Sequence, residues 1–146
     1  MIITRTQLIA VYAAIAVLAL LGTWHQNLFY FQGGHPIHAF VQFWRETLVT
    51  PASISIIIDF FLFTLVIVAW MVLEARRVGI RFVWVYIVIG ALIAISVTAP
   101  LFLIARERRL RASEGDVVTF TRGDLIGLGA FALPALIVSL WSLFAR

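Results

Sequence analysis

The sequence predicts an all-α integral membrane protein with four transmembrane helices and a short interfacial amphipathic helix between the first and second. Three observations carry that prediction. Of the 146 residues, 63% are hydrophobic and 12% charged, against a soluble norm of roughly 45–50% and 25%. A water-soluble core of this length could not hide so much apolar surface, whereas lipid can. Four apolar runs, each about the 20 residues that cross a hydrocarbon core, are separated by short polar stretches. Arginines gather where those runs stop, as boundary residues do.

The first helix is expected over about residues 6–31, because Leu8 to Trp24 carries no charge. The run follows Arg5, but it is long for a signal-peptide core and no small-x-small site follows it, so a retained helix is expected. From Pro36 to Leu48, the residues Ile37, Phe40, Val41, Trp44 and Leu48 share one helical stripe. His38, Gln42, Arg45 and Glu46 fall largely outside it. A helix over about 36–48, lying in the interface or lidding the bundle mouth, follows.

Thr50 suits an N-cap and Pro51 the first helical position, where its missing N–H costs nothing. The second span therefore runs over about 51–77. Glu74-Ala75-Arg76-Arg77 marks its water boundary and Gly79 the turn after it. A third span over about 82–106 ends at Arg106-Glu107-Arg108-Arg109, and a fourth over about 124–145 starts at Asp124. The polar link between them holds a β-prone piece, Val117 to Thr121. Residues 1–146 thus read as a single polytopic membrane domain. Four crossings put both termini on one side.

Chemistry is harder to place. Cys is absent and every basic side chain is Arg, which removes disulfides, thiolate metal sites and Schiff-base lysines. The net charge of +4 does not point to nucleic acid, since the arginines flank apolar runs and suit lipid headgroups. Asp59 is the sharpest feature, roughly 13 Å below the cap of its helix at 1.5 Å per residue. Intramembrane acids face a bundle interior or a water cavity. Counting along four crossings brings Ser96, Thr98, Pro100 and Pro134 to the same level. Each proline frees the carbonyl four residues earlier and tends to kink its helix. The group is either interhelical glue or the polar part of a ligand site.

Glu74, Arg76 and Arg77 form a second, boundary cluster suited to headgroups and the helix C-terminus, and Tyr86 can line a cavity towards that face. His25, His35 and His38 lie near one membrane face, but Pro36 breaks the register and no third ligand converges. No metal site and no cofactor is expected.

From Phe43 to Glu107 the chain reads Phe43-Trp44-Arg45-Glu46, Thr50-Pro51-Ala52-Ser53, Asp59, then Leu73-Glu74-Ala75-Arg76-Arg77 and Gly79–Trp84. Ser96-Val97-Thr98-Ala99-Pro100-Leu101-Phe102-Leu103-Ile104-Ala105-Arg106-Glu107 follows. This resembles the uncharacterised bacterial membrane proteins known as domain of unknown function 2834. The resemblance implies motif positions at Asp59, Glu74, Pro100 and Glu107, and no activity. It also implies a bacterial inner membrane, where the compact Glu74–Arg81 loop directs the termini to the cytoplasm.

The leading expectation is a non-catalytic accessory subunit or a binder of a lipid, quinone or isoprenoid. Its partners are membrane lipids, a lipophilic small molecule, and a homo-oligomer or larger membrane complex. Alternatives are an isoprenoid- or lipid-modifying enzyme using Asp59 as general acid, and a small oligomeric transporter.

Overall fold

A computed structural model describes residues 1–32 and 35–144. In chain order the elements are β1 (Ile2–Thr4), α1 (Arg5–Phe31), α2 (Pro36–Thr47), α3 (Pro51–Val78), α4 (Val83–Leu92), α5 (Ile95–Glu114), β2 (Val117–Thr119) and α6 (Arg122–Phe144). Three helices, α1, α3 and α6, are long and apolar enough to cross a membrane. The expected last residue of the fourth helix, at 145, lies outside the described residues.

The helix ends follow from local chemistry. Thr4 caps α1 in a reciprocal box with Gln7, and Thr50 caps α3 in the same way with Ser53, with Pro51 just inside. At its far end α3 stops on Gly79, which adopts φ +72°, and Ile80 N–H closes the turn on the Ala75 carbonyl at 2.8 Å. Phe82 then sits at φ +63°, a region costly for an L-residue. These two left-handed positions let the chain reverse within four residues, so that α4 returns alongside α3.

The continuous third helix expected over about 82–106 is corrected here. It is broken at Ile93 and Ala94, where the backbone turns extended (Ala94 φ −174°, ψ 134°). The two pieces then fold back on one another. Gly90 of α4 lies against Thr98 and Ile95 of α5 so closely that a Cβ there would overlap the Thr98 hydroxyl. Further down, Tyr86 and Phe102 meet edge to face with centroids 5.9 Å apart. Pairs whose numbers rise on one helix as they fall on the other define an antiparallel hairpin. α5 then runs on to Glu114, well past the expected boundary at Arg106.

Both open ends of this hairpin lie where α3 ends, because Arg106 bonds Glu74. α1 starts at that end too, through Arg5, and β1 pairs antiparallel with β2, Ile3 opposite Val118. We call this the ribbon end. The expected β-prone piece is thus a strand, but its partner, Ile2–Thr4, carried no recognisable signal.

The opposite, lid end holds α2 and the last turns of α6, where Gln26 donates to the Ser142 carbonyl at 2.6 Å. Among the described residues, β1 and the start of α1 therefore lie at the ribbon end and α6 finishes at the lid end. Met71, Ala75, Val83, Ile95 and Phe102 form the buried core, between α3 and the hairpin. α6 packs chiefly on α1 and buries no residue among those described.

Candidate functional site: a lid-end chamber above a charged base

Because the hairpin turns back at Ile93, it leaves a gap in the lid half of the bundle. That gap is a cavity of about 570 Å³ bounded by α1, α2, α3 and the hairpin tip. Its walls are mostly aromatic and aliphatic, with Trp24, Phe43, Trp44, Phe60 and Phe61 prominent. Trp44 stacks on Phe61 with centroids 5.6 Å apart, which ties the lid to α3. Trp24 Nε1 and Thr64 Oγ1 are buried among the wall residues without a hydrogen-bond partner among the described residues. Size, apolar lining and sparse polar groups are those of a lipophile pocket.

The lid helix is amphipathic in a different sense from the single expected stripe. Ala39, Phe40 and Trp44 line the chamber, with Ala39 buried and Phe40 still exposed on its outer side, while Ile37 and Val41 are exposed and take no part in the wall. Its far end is latched to α1. Tyr30 donates its hydroxyl to Glu46 Oε2 at 2.6 Å, and Gln42 donates to Glu46 Oε1 at 2.9 Å. The Tyr30 bond, helped by that of Gln42, holds the Glu46 carboxyl below the usual range.

A depressed folded pKa stabilises the latch above the unfolded value, and that stabilisation is lost as pH falls through the folded one. Acidification below about pH 4 is therefore expected to lower the hydrogen-exchange protection factors, corrected for the intrinsic rate at each pH, across residues 36–47. Tyr30→Phe should show the lower protection already at pH 7 and less change of protection on acidification. Equal protection of wild type at pH 3 and pH 7 would refute the latch.

At the ribbon end lies a charged base. Glu107 is 1% exposed and accepts from Arg5 and Arg106, each at 2.5 Å. Arg106 also bonds Glu74 at 2.5 Å, and Arg77 holds both oxygens of Glu74 at 2.7 Å. Arg5 reaches Glu114 at 3.0 Å and the Gly115 carbonyl at 2.8 Å. Burial works against the Arg106 charge, but Glu74 and Glu107 more than offset it and hold its pKa above the ordinary value. The network joins α1, α3 and α5 and floors a crevice of about 440 Å³ beside Tyr12 and β2.

The expected level of Asp59, Ser96, Thr98, Pro100 and Pro134 is not assembled. Asp59 is exposed on α3 and has no hydrogen bond or ion pair among the described residues. It lies two residues from both Ile57 and Phe61, which line the chamber, so it projects from the opposite side of the helix. The counting assumed that α3 starts where α5 ends, whereas those points lie at opposite ends of the bundle. Ser96 lines the chamber at the hairpin tip. Thr98 and Pro100 are buried in α5, with Thr98 Oγ1 unpartnered, and Pro134 is exposed on α6.

In the boundary cluster Glu74 is buried and paired to Arg77, Arg76 is exposed without a bond, and Tyr86 packs on Phe102. His35 and His38 have ring centroids 5.4 Å apart, and no group of three metal-ligating side chains forms among the described residues.

Sequence reasoning missed Arg5, Arg106 and the central place of Glu107. An acid inside the basic run Arg106-Glu107-Arg108-Arg109 was the available signal. The chamber walls, mostly apolar positions on α1, α3 and the hairpin tip, gave none beyond the lid stripe of Phe40 and Trp44.

Apolar helices around a core, an amphipathic lid and an arginine-rich end define a helical membrane protein. A family profile described as "Protein of unknown function DUF2834" matches residues 11–108, and the chain belongs to that family. The match spans the whole chamber wall together with Glu74, Arg106 and Glu107, and leaves Arg5, the ribbon and α6 outside. Neither the curated proteins nor the solved structures return a match.

Proposed function

We propose that the protein is a non-catalytic binder of a lipophilic small molecule, held in the lid-end chamber. The carrying observation is the cavity of about 570 Å³ with apolar walls beneath an amphipathic helix. α1, α3 and α6 cross the membrane in this reading, and α4–α5 dips in from the ribbon end and returns. Among the described residues, Arg5, Arg76, Arg77, Arg81, Arg106, Arg108, Arg109, Arg111 and Arg122 then share one face, against Arg45 at the lid. That imbalance favours a cytoplasmic ribbon end and a chamber in the outer leaflet of a bacterial inner membrane.

An acid step by Asp59 is not favoured, since its side chain projects away from the chamber. An exposed carboxyl on a membrane helix instead favours a neighbouring helix, in a homo-oligomer or larger complex.

Gentle purification followed by mass spectrometry of the extract is expected to recover a bound lipophile. Ala91→Trp, which adds bulk at the chamber wall, should lose most of it while remaining folded, and Asp59→Asn should retain it. Equal recovery from wild type and folded Ala91→Trp would overturn the reading.

A further inference from the structure

The chemistry of the walls restricts the guest. Among the described residues no Asp, Glu, Arg or His lines the chamber. A phosphate or carboxylate drawn into such a site would be desolvated with no counter-charge. Phospholipids and prenyl diphosphates are therefore poor occupants for the chamber interior.

The walls are not indifferent to oxygen, however. Among the described residues, Trp24 Nε1, which can only donate, is buried with no acceptor, and the Thr64 hydroxyl is likewise buried and unpartnered. Both residues line the same cavity. A helical threonine commonly satisfies its hydroxyl on the carbonyl one turn back, as Thr23 does on Ala19 at 2.8 Å. Thr64 does not. Native interiors rarely leave such groups unpaired, and a guest oxygen is what would satisfy them.

We infer that the guest is a neutral lipophile carrying a hydrogen-bond-accepting oxygen, such as an isoprenoid alcohol, aldehyde or quinone, received by Trp24 Nε1 or Thr64 Oγ1. This rests on the chamber being a binding site. The hydrocarbon part fills the aromatic walls, and the oxygen decides which hydrocarbons are kept.

The test uses three probes with one carbon skeleton: farnesol, its saturated hydrocarbon farnesane, and farnesyl diphosphate. Each is titrated into delipidated full-length protein in nanodiscs and followed by native mass spectrometry. Farnesol is expected to bind at least roughly 10-fold more tightly than either of the others. At least one of Trp24→Phe and Thr64→Val should weaken farnesol by roughly 5–10-fold, the scale of one hydrogen bond, and leave farnesane unchanged.

Farnesane binding as tightly as farnesol, or the diphosphate more tightly, overturns the inference. So does farnesol binding indifferent to both substitutions. Ala91→Trp separates the two readings: probes that it displaces, but that show no preference for oxygen, leave the chamber standing and sink the headgroup assignment. Farnesol bound equally by Ala91→Trp removes the chamber itself.

Discussion

Arg81→Cys and Arg108→Cys, each made alone, are expected to react with an impermeant maleimide from the same face of the membrane. The chain has no cysteine of its own, so each variant offers a single thiol. Both positions are exposed, and neither arginine has a bonded partner among the described residues. Arg81 precedes the hairpin and Arg108 follows its apolar part, so a hairpin that dips and returns brings both out together. A continuous third crossing would send them to opposite faces. The readout is all or none.

Val49→Cys, at the exposed lid end, should be labelled only from the other side. In the proposed orientation, inverted vesicles are expected to react at positions 81 and 108 and intact spheroplasts at position 49. Labelling of 81 and 108 from opposite faces would restore the four-crossing arrangement and remove the chamber's floor.

Glu107→Ala is the second large effect. The carboxylate is shared by Arg5, whose side chain is 8% exposed, and Arg106. Removing it leaves two guanidinium groups short of an acceptor in a buried place, a change that costs about 3–5 kcal/mol. Glu107→Gln should cost less, since the amide keeps the shape and one accepting oxygen. Arg108→Ala, one residue along on the exposed side, should stay within about 0.5 kcal/mol. Denaturation in mixed micelles gives the comparison. If Glu107→Ala and Arg108→Ala behave alike, the base network does not hold α1 to α5. Arg5→Ala combined with Glu107→Ala should cost less than the two separately, because each removes the same interaction.

Periodicity and capping made most of the fold legible. Thr50-Pro51 and Gly79 bounded α3 to within one residue of the expected range, and the lid ended one residue early. The hairpin was not legible because nothing in Leu92-Ile93-Ala94-Ile95 interrupts an apolar helix: there is no Gly, Pro or charge at the turn. What favours the reversal is remote, namely Gly90 fitting against Thr98 and Arg106 reaching Glu74. Missing that turn displaced every later inference of depth. It put Asp59 level with Ser96, hid the arginine imbalance, and left no room for a chamber. Asp59 itself drew attention as a rare charge, yet exposure on α3 depends on which neighbours arrive, and a single helix does not encode that.

The Arg5 partnership also sets an order of events in biogenesis. Its acceptor on Glu107 lies 102 residues downstream, and chains grow at about 5–20 residues per second. The first helix thus waits roughly 5–20 s before the carboxylate that secures it has been made. During that interval its arginine has only headgroups at the membrane surface to pair with, and α1 is free to tilt or slide. Only when α5 has folded back does the bolt close, so a truncated or stalled chain remains unlocked and open to membrane proteases.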